Sequence, residues 1–286
     1  MNFYCLHQGY YEGVQQRIDQ LQDACQKQSI KFIALNSLEV DYSNLPTLSK
    51  TDLLYNATRG SETLESLLLN NDVTTFYIKT PDYVVNNPDT TKYTIPHTKA
   101  NLPQPNTIFG ITANRELLKR YVEFVGGFPL ILKATGSTRG IGTIKIETWQ
   151  NLISTVDYLV NTNAGFIIRE FIKANGVGRC RVLGNQVIQT FEYPLVENDF
   201  RNAAVPMEQL PIAKQMDFTD EVKNDCIKAC HIANTEFGSV DVLINEVGKH
   251  FILEVNFPSG LPINWQANNN FLAMQMITYL KNKSNG

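Results

Sequence analysis

The stretch Leu130–Glu147 of the sequence reads LILKATGSTRGIGTIKIE. Its first residues form an apolar run that ends at Lys133, and a loop of small residues follows. The last residues alternate between apolar and polar with the period of two that is typical of a strand. Two strands joined by a short glycine-containing loop form a β-hairpin. The stretch therefore predicts a hairpin with a flexible tip.

The tip of this hairpin is suited to holding phosphate. Gly136, Gly140 and Gly142 let a ligand approach the backbone closely, and the hydroxyl groups of Ser137 and Thr138 add donors. The loop is not a P-loop, which needs lysine and a hydroxyl residue directly after its last glycine, nor a dinucleotide fingerprint, which opens a helix. An ordinary glycine-rich hairpin turn is the competing interpretation.

Lys133 stands where the first strand of the hairpin would be at least half buried. A lysine in that position needs an anionic partner, and a bound phosphate would provide one. Alternatively, its ammonium group reaches solvent past the end of the strand.

A second informative stretch is Phe251–Phe257, FILEVNF. Alternation along a strand puts Ile252, Glu254 and Asn256 on one face. A turn separates this strand from the apolar run that contains Asp241, so the two strands are expected to pair and to bring Asp241 close to Glu254. Carboxylate and amide oxygens are ligands that Mg²⁺ accepts. The competing interpretation is that the two carboxylates are salt-bridged residues at a sheet edge.

Elsewhere the pattern predicts an α/β start and a mostly stranded end. Strands alternating with helices in the first residues, including a predicted strand at Val73–Ile78, favour a parallel sheet. Residues 86–107 are rich in proline, asparagine and threonine, which predicts a linker carrying one short helix. Thr112 is the expected N-cap of the next helix.

Composition excludes several classes of function. The net charge of −3 over 286 residues, without a basic cluster, argues against nucleic-acid binding. No apolar stretch has the length of a signal peptide or a membrane span, so no membrane role is expected. The five cysteines lack disulfide spacing, which predicts a cytoplasmic location. Cys226, Cys230 and His231 could suggest a metal, but buried thiols on a helix are the favoured interpretation.

A phosphate-binding hairpin, a lysine and an oxygen-only metal cluster together describe an ATP–Mg²⁺ site for phosphoryl transfer. The residues from about Pro88 to Leu261 also resemble a known family, the ATP-grasp carboxylate–amine ligases. The similarity is greatest to the branch of ribosomal-protein glutamate ligases and related amino-acid and peptide ligases. Four motifs carry the resemblance in the family's order: LILKATGSTRGIG, IIREFI, FRN and VDVLI…LEVNFPSGL.

The resemblance implies an ATP-grasp fold of the α/β (α+β) class. It implies an N-terminal α/β pre-ATP-grasp domain, a small central lobe and a larger C-terminal α+β lobe. The expected divisions are 1–88 for the substrate-side domain, 89–165 for the central lobe with its glycine-rich flap, and 166–286 for the C-terminal lobe with the metal site.

The resemblance also implies roles for individual residues. Lys133 and Arg201 would be catalytic, with Lys133 on the ATP phosphates and Arg201 near the γ-phosphate and acyl group. The implied nucleotide-binding residues are Lys92, Lys133, Ser137, Thr138, Gly140, Ile141, Gly142, Glu170, Phe171, Ile172 and Arg181. The implied metal ligands are Asp241, Glu254 and Asn256. The implied substrate residues are Arg59, Asn202 and Arg139, although Arg59 and Arg139 have an exposed loop position as the alternative.

The implied activity is ATP-dependent formation of an amide or peptide bond through an acyl phosphate. The cofactors would be ATP and Mg²⁺, with Mn²⁺ as a substitute and two metal ions at the site. The partners would be a small-molecule or peptide carboxylate and an amine, with no nucleic acid and no membrane, and a homo-oligomer is compatible. Two departures stand out: Arg179 replaces an acidic residue of close relatives, and the loop after Arg201 lacks their glycine-containing segment. Alternatives are a polyol kinase and a non-catalytic nucleotide-binding protein.

Overall fold

The computed structural model describes residues 1–9, 12–84, 91–110, 112–135, 140–201, 212–257 and 269–286. Helices and strands mix along the chain, as the sequence predicts. The first part contains β1 (Asn2–His7), α1 (Glu12–Lys27), β2 (Lys31–Asn36), β3 (Leu53–Asn56) and α2 (Glu62–Leu68). The middle part contains α3 (Thr91–Lys99), β4 (Thr107–Ile108), α4 (Arg115–Phe124), β5 (Leu130–Ala134), β6 (Thr143–Ile146), α5 (Trp149–Asn161) and β7 (Phe166–Glu170). The last part contains β8 (Gly176–Leu183), β9 (Gln186–Pro194), β10 (Lys214–Gln215), α6 (Asp220–Ile232), β11 (Phe237–Ile244), β12 (His250–Asn256) and α7 (Asn269–Ser284).

The first sheet is parallel, with the strand order β2-β1-β3. Its central strand β1 is almost entirely buried, as expected of a strand covered on both faces. The predicted strand at 73–78 is wrong. Thr74 bridges to Leu53 and Tyr77 bridges to Thr235, so the segment divides its pairing between two partners and forms no continuous ladder.

The second sheet has the order β4-β7-β5-β6 and is antiparallel throughout. The predicted hairpin of β5 and β6 is confirmed. One face of this sheet packs on α4 and α5 through side chains such as Leu118, Leu132 and Val156. The N-cap of α4 is Asn114, whose side chain accepts two backbone N–H groups. The prediction of Thr112 as the N-cap is therefore wrong. The Thr112 hydroxyl instead accepts a hydrogen bond from the N–H of Asn114.

The third sheet is antiparallel, with the order β10-β9-β8-β11-β12. α6 covers one face and buries Cys226 and Cys230 against Val240 and its neighbours. α7 packs beside α1, and the buried cluster that holds Met276 and Leu280 also contains Leu183 of β8 and Phe237 of β11. Among the described helices, none has both the length and the apolar character that a membrane span requires.

Candidate active site

The carboxylate hairpin pairs Asp241 directly with Glu254, as predicted. The register between β11 and β12 shifts immediately after Asp241, so that Leu253 is the extra residue of a β-bulge. Because of this bulge, Ile252 turns into the buried cluster beneath α6. The prediction that Ile252 shares a face with Glu254 is therefore wrong.

Polar side chains line the face of the third sheet that points away from α6. They form two rows across β8, β11 and β12, because residues that are partners in register lie side by side. The first row is Arg179, Asp241 and Glu254, and the second row is Arg181, Ser239 and Asn256. The opposite face is apolar, so the sheet separates a core from a charged surface.

Lys133 and Glu254 connect the second sheet to the third. Lys133 Nζ lies 3.2 Å from Glu254 Oε2, although 121 residues separate them in sequence. Burial acts to raise the pKa of Glu254, but the nearby charges of Lys133, Arg179 and Arg169 outweigh it and lower the pKa. Glu254 is therefore anionic at neutral pH, and the predicted phosphate-binding lysine meets a predicted metal ligand.

Asp241 is already paired with a cation. Its Oδ1 accepts a hydrogen bond from Arg179 Nε at 2.6 Å, and its Oδ2 accepts one from Arg179 Nη2 at 3.0 Å. Asn256 Nδ2 also donates to Oδ2, at 3.2 Å. The competing interpretation of Asp241 is an ion pair instead of a metal site, and both of its carboxylate oxygens are ion-paired with Arg179.

Glu254 and Asn256 fit a Mg²⁺ ion better than Asp241 does. Within the described ranges, neither Glu254 Oε1 nor Asn256 Oδ1 accepts a hydrogen bond, and both are hard oxygen atoms on one face. In that part of the chain, no group of three or more acidic, cysteine or histidine side chains is arranged to hold a metal ion. The donor set therefore fits one ion on a carboxylate and an amide.

The flap is described on both sides of its tip. The N–H of Ala134 donates to the carbonyl of Gly142 at 2.9 Å and closes the base of the hairpin. Gly140 and Gly142 have φ of +74° and +76°, in the left-handed region that glycine adopts without strain. Ile141 between them is exposed. The predicted residues Gly136, Ser137, Thr138 and Arg139 lie outside the described residues.

Arg201 contacts the flap and also forms an ion pair with Asp199. Its Nη1 donates to the carbonyl of Gly140 at 3.2 Å. Its Nε and Nη2 donate to Asp199 at 2.9 and 2.7 Å. The Arg201 side chain thus lies beside the glycine loop that is predicted to cover the phosphates, and its predicted role is near the γ-phosphate. Asn202, the next residue, lies outside the described residues.

The predicted hinge segment begins at Glu170, the last residue of β7. Glu170 and Asn106 exchange two hydrogen bonds, from the N–H of Glu170 to the Asn106 carbonyl at 2.9 Å and from the N–H of Asn106 to Glu170 Oε2 at 3.1 Å. Lys145 Nζ lies 5.0 Å from the ring centroid of Phe171, and Ile172 is buried. The segment therefore offers an aromatic and an apolar side chain where the second sheet leads into the third.

Arg181 is buried beside the carboxylate pair. Its Nη1 donates to Gln189 Oε1 at 3.0 Å, and its Nε donates to Ser239 Oγ at 3.4 Å. Burial lowers its pKa to about 9, and the neighbouring positive charge of Arg179 acts in the same direction. These contacts fix Arg181 within the sheet, and its role toward a nucleotide stays a prediction.

Lys92 and Arg59 lie apart from this cluster. Lys92 is exposed at the start of α3, with its ammonium 5.3 Å from the ring centroid of Tyr93. Arg59 is exposed in the loop after β3. Within the described residues neither side chain contacts Lys133 or Glu254. The roles of both stay predictions.

Arg169 lies beside this site, and the sequence motifs assign it no role. It pairs in register with Ile131 and therefore shares the face of the second sheet that carries Lys133. It is 5% exposed, its Nε donates to Thr107 Oγ1 at 3.0 Å, and its Nη2 is buried without a partner in the described part of the chain. Burial lowers its pKa to about 10, against the opposing charge of Glu254. An arginine inside the apolar run GFIIREFI was the available signal.

The three sheets and the site place the protein in the ATP-grasp structural class. A solved structure of the ATP-grasp ligase PsnB, complexed with minimal precursor, Mg and ADP, matches with a TM-score of 0.70 and 17% identity over 98% of each chain. A family model described as the RimK-like ATP-grasp domain matches residues 89–280. The chain belongs to this RimK-like ATP-grasp family.

Curated relatives match a shorter region. A probable alpha-L-glutamate ligase of Citrobacter koseri is 31% identical over 156 residues, which is 54% of this chain and 51% of the relative. A ribosomal protein bS6–L-glutamate ligase of Escherichia coli O7:K1 has the same identity and coverage. The chain therefore spans about half the length of the curated relatives it matches.

Proposed function

We propose that the protein is an ATP-dependent ligase that joins a carboxylate to an amine through an acyl phosphate. The observation that carries this proposal is the 3.2 Å contact between Lys133 and Glu254. It brings a cation at the edge of a glycine hairpin to a carboxylate strand with magnesium-type ligands. An ATP–Mg²⁺ site needs both groups at one place.

The names of the relatives support amino-acid or peptide substrates. The curated relatives are named as glutamate ligases, and the PsnB structure contains a precursor, Mg and ADP. From these names we infer that the protein uses an acid substrate and an amine substrate, and that at least one of the two is an amino acid or a peptide. The five buried free thiols fit a reducing compartment, and we assign the protein to the cytoplasm.

Each side chain of the cluster has a task in this reaction. Lys133 and Arg169 hold the phosphates by positive charge from the second sheet, and Arg201 orients the γ-phosphate beneath the flap. Glu254 and Asn256 would hold Mg²⁺, which would supply neutralisation of the phosphate charge. The flap residues Gly140 to Gly142 close over the nucleotide and exclude water, which would otherwise hydrolyse the acyl phosphate.

Bond changes follow from these positions. A carboxylate oxygen of the acid attacks the γ-phosphorus, and the bond to the β-phosphate oxygen breaks to release ADP. The amine nitrogen then attacks the acyl carbon, loses a proton, and expels inorganic phosphate that retains the attacking carboxylate oxygen. Positioning of ATP and the two substrates supplies most of the rate enhancement, because no covalent bond to the protein forms.

The test is ADP release over amino acids and short peptides supplied in pairs, with mass spectrometry of the products. Lys133→Ala and Glu254→Ala should each lower ADP release by about 100-fold or more, the scale of losing one preorganised charge contact. Lys173→Ala is the matched control, because Lys173 forms an exposed ion pair with Glu246 at 2.8 Å. Thermal unfolding checks that each variant folds.

Three outcomes would overturn the proposal. Wild-type-like ADP release by both site variants would remove the site from the reaction. A phosphorylated alcohol with no amide would indicate a kinase. Nucleotide binding without ADP release across the panel would indicate a binding protein.

A further inference from the structure

Arg179 binds Asp241 in the geometry of a bidentate ion pair. Two parallel N–H···O bonds of 2.6 and 3.0 Å join the guanidinium to both carboxylate oxygens. Such a pair fixes orientation as well as charge. With the third hydrogen bond from Asn256, each oxygen of Asp241 has a donor.

The guanidinium is held in place from several sides. Arg179 and Asp241 are direct partners in register between β8 and β11, so the backbone sets their separation. The Arg179 guanidinium carbon lies 5.5 Å from the ring centroid of Tyr193 on the adjacent strand β9. The side chains of Arg179 and Asp241 are 27% and 11% exposed, respectively, so little solvent competes for the pair.

A divalent ion on Asp241 would have to displace this guanidinium. Arginine does not lose its proton in proteins, so the displaced side chain would remain a cation beside the incoming ion. Removing the partner of a buried, paired charge is strongly unfavourable. Asp241 is therefore unsuited to metal binding while Arg179 is present.

We infer that Arg179 takes the place of one divalent ion, so that the nucleotide-bound site holds a single Mg²⁺, on Glu254 and Asn256. The inference rests on the proposed function, because it concerns the same ATP site. It changes the predicted role of Asp241 from a metal ligand to the anchor of Arg179. Lys133 and Arg179 contact Glu254 and Asp241 directly, so both carboxylates have a cationic side chain as partner before any metal binds.

The test counts Mn²⁺ per chain by electron paramagnetic resonance, with the full chain saturated by the non-hydrolysable ATP analogue AMPPNP. The wild type should bind one Mn²⁺ for each bound nucleotide. Arg179→Gln frees Asp241 and should bind two, and the double variant Arg179→Gln/Asp241→Asn should return to one. Glu254→Gln should weaken the remaining Mn²⁺ by at least tenfold. Arg120→Gln, on the exposed face of α4, is the control and should bind one.

Two Mn²⁺ ions on the wild type, or one on Arg179→Gln, would overturn the inference. Calorimetric binding of AMPPNP to the same samples separates this failure from the failure of the proposed function. Nucleotide binding with two ions contradicts only the role of Arg179. If AMPPNP does not bind at all, the ATP site itself is refuted and the inference falls with it.

Discussion

At the scale of single residues, Arg169 is a buried cation with an incomplete set of hydrogen-bond partners. Its guanidinium is 5% exposed, and its Nη2 has no partner within the described residues. A buried charge without a complete set of partners destabilises a fold unless a ligand supplies them. A nucleotide phosphate above Lys133 would supply such a partner.

Arg169→Met should weaken ATP binding while leaving the fold as stable as before or more stable. Loss of one charge-assisted contact predicts a dissociation constant that rises about tenfold or more. The free energy of unfolding should not fall, because an apolar side chain of similar length removes a buried charge. Calorimetry with ATP and thermal unfolding measure the two effects.

Arg120→Met is the matched control for this substitution, since Arg120 is exposed on α4. It should change neither quantity. If Arg169→Met binds ATP like the wild type, or loses stability, Arg169 has a structural role instead.

At the level of single residues, local chemistry indicated that Lys133, at the end of an apolar strand, needs an anionic partner. The partner in the structure is Glu254, which the sequence did not predict, and the phosphate and metal roles of the two residues stay predictions. The pairing of Arg179 with Asp241 could not be predicted. It depends on the register between β8 and β11, and 62 residues separate the two side chains.

At the scale of elements, the flap hairpin depends on its two positive-φ glycines. Gly140→Ala places a methyl group in a strained backbone conformation, 3.4 Å from Arg201 Cδ. We expect kcat to fall about tenfold, because the flap and Arg201 no longer fit together during closure. Steady-state kinetics of ADP release measure this.

Gly126→Ala controls for backbone strain alone. Gly126 has φ of +89°, and an added Cβ would meet nothing within 4 Å. Both variants should lose a similar amount of stability, on the order of 1–2 kcal/mol, but only Gly140→Ala should lose activity. Equal losses of activity would show that strain, rather than the flap, is responsible.

The hairpin of β11 and β12 shows what strand periodicity predicts and what it misses. Alternation correctly put Glu254 and Asn256 on one face, and the turn between the two strands correctly predicted the pairing of Glu254 with Asp241. It put Ile252 on the wrong face, because a bulge at Leu253 adds one residue and reverses the alternation beyond it. No residue type in this strand marks the bulge in advance.

At the scale of the whole molecule, local patterns predicted the parallel start, both hairpins and the mixed α/β class. They did not predict how distant segments pack. α7 lies against α1, and Gln28 Nε2 donates to Thr278 Oγ1 at 2.9 Å across 250 residues. The divisions after residues 88 and 165 stay predictions, and β7, just beyond the second of them, pairs with β5 in the second sheet.

The proposed reaction requires a carboxylate of the substrate to attack the γ-phosphate of ATP. The most direct measurement uses amino acids and dipeptides whose carboxylates are enriched in ¹⁸O, incubated with the full chain, ATP and MgCl₂. Mass spectrometry of the released inorganic phosphate follows the label. We expect the wild type to release phosphate that carries one ¹⁸O from the carboxylate, and Lys133→Ala to release no labelled phosphate. Unlabelled phosphate, or no phosphate above the level of that variant, would contradict it.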